Sequence, residues 1–328
     1  MQLQLPLPAP FPSEKMSHKD KIFIVGSCFA ENIEGKLRDT KFKTLVNPHG
    51  IAFSPLAIAR SLEDSLHKKV YRQEDLIDYE ELWHGLNFHT DFSAPEAEAA
   101  LNKMNQSTES AHGFLSQADW LVLTAGTAFQ YYYLQKNGEE SPAANCHKIP
   151  AVHFKKRLLS IAEIVDCLKI IIAEIRQVNP RLKIIWTVSP VRHVRDGLTE
   201  NNRSKARLIE AFRQLADDIT NSWYFPSYEI LIDVLRDYRF YDYDLVHPSN
   251  LATDIIWQQF GLQFFTQMTN ILVEEIQKIR VAAQHKPRFP GSSAHTKFVE
   301  NTLRQIKNLA HQHPELDFFE EQGLLGTE

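Results

Sequence analysis

The sequence predicts an α/β protein with a mainly parallel sheet and helices on both faces. Three observations predict it: short continuous apolar runs recur and stop at small-residue turns, amphipathic helical stretches separate them, and the alternation repeats at least four times.

Ile22-Phe23-Ile24-Val25 is a run of the kind found in strands buried on both faces, and it stops at Gly26-Ser27-Cys28. From Ala30 the period turns helical, with Ala30, Ile33 and Leu37 on one stripe. Thr44-Leu45-Val46 is a weaker strand that ends at the turn cluster Asn47-Pro48-His49-Gly50. Residues 53–118 read as a helical insertion: helices over residues 56–62 and 97–114 flank a stretch rich in aromatic rings and imidazoles, Leu82 to His89. Trp120-Leu121-Val122-Leu123 gives a third strand, ending at Thr124-Ala125-Gly126-Thr127.

Leu158, Ile161, Val165, Leu168, Ile172 and Ile175 keep helical spacing until Asn179-Pro180 stops them. Ile184 to Val188 follows as a strand closed by Ser189-Pro190. Leu208, Phe212, Leu215 and Ile219 mark the next helix, and Tyr228 to Val234 is the expected last strand. A long helix is expected from Ser249 through Ile279, then a linker at 287–293, a helix over 297–312, and a loose acidic end from Pro314. The expected domains are an extended Pro-rich lead (1–20), an α/β domain (21–260) and a C-terminal helical extension (261–328).

Composition excludes several classes. Of 328 residues, 43% are hydrophobic and 23% charged, which is globular usage rather than disorder. A net charge of −5 supplies no broad cationic field, so nucleic acid is not expected as a ligand. Three widely spaced cysteines without a CxxC pair indicate neither a disulfide framework nor a zinc ribbon. The N-terminal stretch lacks the basic and unbroken apolar regions of a signal peptide, and no 18 apolar residues run together. A cytoplasmic protein with no membrane partner is the expectation.

In parallel α/β sheets, ligands bind beyond the carboxyl ends of the strands. Ser27, Gly50, Gly126 and Ser189 each follow an expected strand and should converge there. Ser27 needs a base to act as a nucleophile, and His247 with Asp244 in Asp244-Leu245-Val246-His247-Pro248 supplies an imidazole and the carboxylate that orients it. Each signal is weak by itself: a Gly-Ser after a strand is commonly only a turn, and Asp-x-x-His-Pro is commonly a solvated turn. Their order within an α/β alternation gives the pair its meaning. Glycine-rich dinucleotide and P-loop patterns, Gly-x-Ser-x-Gly and His-Glu-x-x-His are all absent, so no cofactor and no metal are expected.

Gly26-Ser27-Cys28-Phe29-Ala30 resembles the signature of the GSCFA family. Further matching stretches are Asn47-Pro48-His49-Gly50, Asn145-Cys146-His147-Lys148, Thr187-Val188-Ser189-Pro190-Val191, Phe225-Pro226-Ser227-Tyr228-Glu229 and Asp244-Leu245-Val246-His247-Pro248-Ser249. That family is similar to the SGNH (GDSL-type) hydrolases. The resemblance implies a flavodoxin-like three-layer sandwich and a serine-dependent esterase or O-acyltransferase acting on an ester of a small molecule or carbohydrate. Carried over by position, it implies catalytic Ser27, Asp244 and His247, with the N–H groups of Ser27 and Gly50 as oxyanion donors. The third block departs from the pattern: Gly126-Thr127-Ala128-Phe129 stands where SGNH enzymes show Gly-x-Asn-Asp. Asn145, or else Thr127, is the candidate substitute for the missing asparagine.

Trp83, His84, His89, Thr127 and His193 are candidate substrate-binding residues; the alternative is that the first three pack the insertion and His193 sits in a solvated loop. Cys28 is a conceivable rival to Ser27, against the plainer reading as a small buried residue. The competing functional reading is a non-catalytic SGNH-like binding or scaffold protein, motivated by the altered third block. The apolar stripes of the C-terminal helices would either fold back on the sheet or form a homodimer.

Overall fold

The fold is seen in a computed structural model that describes residue 5, residues 12–135 and residues 138–326; most of the proline-rich lead therefore lies outside the described residues. The first half runs β1 (Lys21–Gly26), α1 (Cys28–Asp39), β2 (Lys43–Val46), α2 (Pro55–Leu66), β3 (Leu76–Tyr79), β4 (Leu82–Gly85), α3 (Ala97–Leu115) and β5 (Trp120–Ala125). Next come β6 (Phe129–Leu134), β7 (Glu140–Ala143), β8 (Phe154–Leu158), α4 (Ile161–Val178), β9 (Lys183–Val188), α5 (Leu198–Asp218) and β10 (Ser222–Phe225). The chain ends with a short α6 (Ser227–Glu229) continued by helical turns over Ile230–Leu235, then α7 (Asn250–Phe264), α8 (Gln267–Ala283), α9 (Ser293–Gln312) and α10 (Phe319–Gly326).

Five strands pair in the order β10-β9-β5-β1-β2, and every pairing is parallel. Side chains alternate between the two faces, as the period of two demands. Phe23, Val25, Leu121, Leu123, Ile184 and Trp186 meet α2, α4 and α5 on one side. Ile22, Ile24, Trp120, Val122 and Ile185 meet α1 and α7 on the other. This is the three-layer α/β sandwich that the sequence predicts. Strand order read outward from β1 reverses between β1 and β5, so the ligand crevice of such sheets falls at their carboxyl ends.

Several elements differ from expectation. The segment 53–118 holds the β3–β4 hairpin as well as helices, and α2 packs into the main core through Ile58 and Leu62, so it covers the sheet. Ser54 caps α2, accepting from the Ala57 N–H at 3.2 Å. A three-stranded antiparallel sheet, β7-β6-β8, follows β5 and escapes the sequence pattern. Its polar-inside residue explains why: Gln130 is buried because its amide donates to Tyr131 O and Ala143 O, while Tyr131 faces solvent.

The last strand is Ser222–Phe225, not Tyr228 to Val234. Pro226 lacks an N–H and ends the strand, and helical turns follow. The expected helix from Ser249 through Ile279 breaks after Phe264. There Thr266 donates its N–H to Met16 O at 3.2 Å and caps α8 by accepting from Thr269 N at 3.0 Å. The acidic end is docked rather than loose. Leu316, Phe318 and Leu325 join Ile276 and Ile306 in a satellite core, and Glu321 meets Lys41 at 2.7 Å. Among the described residues no helix is long and apolar enough to cross a membrane.

Candidate active site

Ser27 stands at the N-cap of α1, directly beyond β1. An N-cap serine usually accepts a hydrogen bond from the first helical turn. This one does not: its Oγ is fully buried and has no hydrogen-bond partner among the described residues. Leaving a buried hydroxyl unsatisfied costs about 1–3 kcal/mol, so the position calls for another explanation than stability.

What surrounds the hydroxyl is set by the neighbouring strand ends. Gly126 follows β5, and a Cβ there would lie 3.4 Å from Ser27 Cβ, 3.4 Å from Phe53 Cδ1 and 2.9 Å from His193 Nε2. The Phe53 and His193 rings pack edge to face, 5.6 Å apart. Phe53 O takes both the Gly126 and Thr127 N–H groups, at 2.8 and 3.1 Å. His193 is held by its own N–H, which donates to Asn201 Oδ1 at 2.9 Å. Its Nε2 is buried and, like Ser27 Oγ, has no hydrogen-bond partner among the described residues. Beneath them lies Lys205, fully buried, donating to Gly126 O and Ser189 O at 2.7 Å each. Burial pushes its ammonium down to about 7.

Asp244 and His247 form a ready-made pair. Asp244 Oδ2 meets His247 Nδ1 at 2.6 Å, and Oδ1 accepts the N–H groups of Val246 and His247 at 2.9 Å each. Those bonds, the backbone ones first, hold the Asp244 carboxyl down at about 2. The pair is half-exposed. Its loop is tied to the His193 loop: Arg192 N–H donates to Val246 O at 3.2 Å, and the Arg192 guanidinium stacks on Tyr241. Ser27 and the Asp244–His247 pair thus flank the His193 loop, and no hydrogen bond joins Ser27 to His247 among the described residues.

The expected oxyanion donors are committed elsewhere. Ser27 N–H donates to Thr124 O at 3.0 Å, extending the β1–β5 ladder; Gly50 N–H closes a turn on Asn47 O at 2.7 Å; Asn145 Nδ2 holds Ile51 O at 3.3 Å. Gly50 is required for another reason, since a Cβ would fall 2.1 Å from His89 Cβ at a φ of 80°. Thr127 is spent on Ser204 Oγ at 3.0 Å.

The substrate-binding candidates divide. His84 is buried with both ring nitrogens engaged, on Ser93 Oγ and Tyr79 O, and Trp83 packs in the satellite core of the hairpin and α3. Both are engaged within that small core, where buried polar groups must be satisfied. His89 is half-buried against Gly50 and pairs with Asp91 at 2.9 Å. His193 Nε2 and Ser27 Cβ both lie against the position where a side chain on Gly126 would begin. Cys28 is half-buried, and burial with Glu31 nearby pushes its thiol up, away from the reactive thiolate. Sequence reasoning missed Phe53 and Lys205. Lys205 had a signal: it shares the helical stripe of Asn201, Leu208, Phe212 and Leu215, where a lysine without a buried role does not belong. Among the described residues no group of three or more His, Cys, Asp or Glu side chains is placed to hold a metal ion.

The fold and site define an α/β protein with a buried serine at the topological switch point and an Asp–His pair on the adjoining loop. The chain belongs to the GSCFA family, which matches residues 21–260; a second match, to the GSCFA domain protein C-terminal domain, covers residues 276–327. No curated protein matches the sequence. Among solved structures it is similar to a carbohydrate esterase family 3 protein from Talaromyces cellulolyticus, at 10% identity and a TM-score of 0.36, covering 79% of this chain and 99% of that one. It is also similar to an acetyl-xylooligosaccharide esterase from Geobacillus Stearmophilus, at 14% identity and a TM-score of 0.38, covering 76% and 95%.

Burial holds three imidazoles neutral: His49 is pushed down to about 3, and His147 and His193 to about 4. Unfolded, such groups take up protons near about 6.5, so below that pH the unfolded chain binds more protons and the contribution to stability falls. Asp20, Asp64 and Glu229, pushed up by burial, work in the opposite direction. A difference measurement isolates one histidine. His49→Phe keeps an aromatic ring against Phe88, now 4.3 Å from the imidazole. Its urea midpoint is expected to fall less steeply than wild type between about pH 7 and pH 5; parallel curves would contradict the assignment.

Proposed function

We propose that the protein is a serine-dependent esterase or O-acyltransferase that works through an acyl-enzyme on Ser27, with an ester of a small molecule or carbohydrate as substrate. One observation carries the proposal: a buried serine hydroxyl at the N-terminus of α1, without a hydrogen-bond partner among the described residues, lies beside the loop that a preformed Asp244–His247 pair adjoins. The resemblance of the first and last motif blocks to SGNH hydrolases supports the same assignment.

In this mechanism Ser27 Oγ attacks the acyl carbon, and its proton passes to His247 Nε2. The carbonyl π pair moves onto oxygen, aided by the positive end of α1. Collapse expels the alcohol, which takes the proton from His247. Asp244 keeps the imidazole in the tautomer that leaves Nε2 free to accept. Water or a second hydroxyl then repeats the sequence on the acyl-enzyme, giving hydrolysis or transfer respectively.

The scaffold reading has its own observation, the complete burial of Ser27 and the absence of a Ser27–His247 hydrogen bond among the described residues. Turnover requires the Phe53 and His193 rings to admit a substrate. The test is a fluorophosphonate probe on the full chain, with the adduct located by mass spectrometry. Labelling is expected at Ser27 and not at Cys28. A chain that neither labels nor hydrolyses aryl acetates would support the scaffold.

A further inference from the structure

We infer that His193 is a catalytic residue: its Nε2–H donates to the developing oxyanion, the task for which the third motif block of this chain carries no asparagine. The inference rests on the Ser27 esterase reading and deepens it.

The geometry supplies the reason. Each backbone or amide donor that the motifs suggest is bound to a protein oxygen: Ser27 N–H to Thr124, Gly50 N–H to Asn47, Gly126 and Thr127 N–H to Phe53, and Asn145 Nδ2 to Ile51. Among the side chains of the described residues, the buried nitrogen next to Ser27 without a hydrogen-bond partner is His193 Nε2, which would add to the N–H groups of the first turn of α1. It and Ser27 Cβ lie 2.9 and 3.4 Å from one point, where a side chain on residue 126 would begin. Gly126 places only hydrogen there, so no side chain of residue 126 comes between the imidazole and the serine. A methyl group there would push into the imidazole at 2.9 Å and touch Ser27 Cβ at 3.4 Å.

The ring is also held for donation. Asn201 fixes the His193 backbone, and Phe53 packs edge-on against the imidazole. Lys205 ties Gly126 O to Ser189 O and so bridges the ends of β5 and β9. A histidine whose pKa is pushed well down is a poor base and can serve as a neutral donor when its proton sits on the nitrogen that faces the oxyanion. Burial, then Lys205 and Lys156, push His193 down to about 4, which leaves it neutral near pH 7. His247, by contrast, has Asp244 to stabilise its imidazolium. The two histidines therefore divide the work: His247 takes the serine proton, and His193 stabilises the charge on the carbonyl oxygen.

The test compares His193→Met with His193→Gln, side chains of similar length of which only glutamine donates. With an aryl acetate, His193→Met is expected to lose about 10²–10³ in kcat with KM little changed, while His193→Gln recovers at least about tenfold of that loss. The acid limb of the kcat/KM profile, set by the general base, is expected to persist in His193→Gln. Wild-type kcat in His193→Met, equal losses in both variants, or disappearance of the acid limb would each overturn the inference while leaving Ser27-dependent turnover intact. A wild-type chain that shows neither turnover nor Ser27 labelling would overturn the esterase reading, and the oxyanion role with it.

Discussion

Ser27→Ala is expected to lower kcat for an aryl acetate by about 10³-fold or more while leaving the protein as stable as wild type, or more so. The two halves of this result come from the same atom. Without Oγ there is no nucleophile, and the Asp244–His247 pair has nothing to deprotonate. The same hydroxyl is buried without a partner among the described residues, so its removal abolishes a desolvation cost of about 1–3 kcal/mol and breaks no hydrogen bond. Alanine keeps the Cβ that packs toward Gly126. Initial rates and urea midpoints on the same preparation read both quantities. Activity lost together with stability would mean that the hydroxyl holds the fold. Activity retained would place the nucleophile elsewhere. A loss of rate with no loss of stability is the trade that active sites show when they keep groups the fold would shed.

The same tension between local and tertiary information decides what could be read in the sequence. β1, β5 and β9 were legible because strands buried on both faces are unbroken apolar runs, and the Asp244–His247 pair because its two members sit on one turn. β10 was displaced because Trp223-Tyr224-Phe225 and Tyr228 to Val234 are both apolar, and only Pro226 separates strand from helical turns. β6 was hidden because it turns Gln130 inward and Tyr131 outward, reversing the usual pattern.

Oxyanion chemistry was the least legible part. A motif can name Gly50 or Ser27 as a donor, but the fate of a backbone N–H depends on which carbonyl the folded chain brings to it. Here Asn47 O and Thr124 O arrive first. His193 was visible only as a residue at the ligand edge. Its approach to Ser27 depends on Asn201, Phe53 and the absent side chain of Gly126, none of which is near Ser27 in the sequence.

Gly26→Ala is expected to be the most damaging single methyl group in the protein, costing about 2–6 kcal/mol or preventing folding. A Cβ at residue 26 would lie 2.1 Å from Thr124 O and 2.8 Å from both Thr124 C and Thr124 Cβ, with φ at 156°. The obstacle is backbone and cannot swing aside like a side chain. Thr124 is the parallel partner of Gly26 in the β1–β5 ladder, and its carbonyl accepts the Ser27 N–H at 3.0 Å. Relief therefore means separating the two central strands or breaking that bond, on top of the Gly26 N–H bond to Asn47 Oδ1 at 2.8 Å. Overpacking a core costs about 1–3 kcal/mol and backbone strain about as much again, against a total stability of about 5–15 kcal/mol. Gly35→Ala is the control: it lies inside α1 with nothing within 4 Å of the added methyl, and is expected to stabilise by about 0.5–1 kcal/mol. Urea midpoints and soluble yield distinguish the two. Should Gly26→Ala match wild type, β1 and β5 must part at their carboxyl ends without penalty. Ser27, whose N–H is anchored to that junction, would then have no fixed position from which to attack.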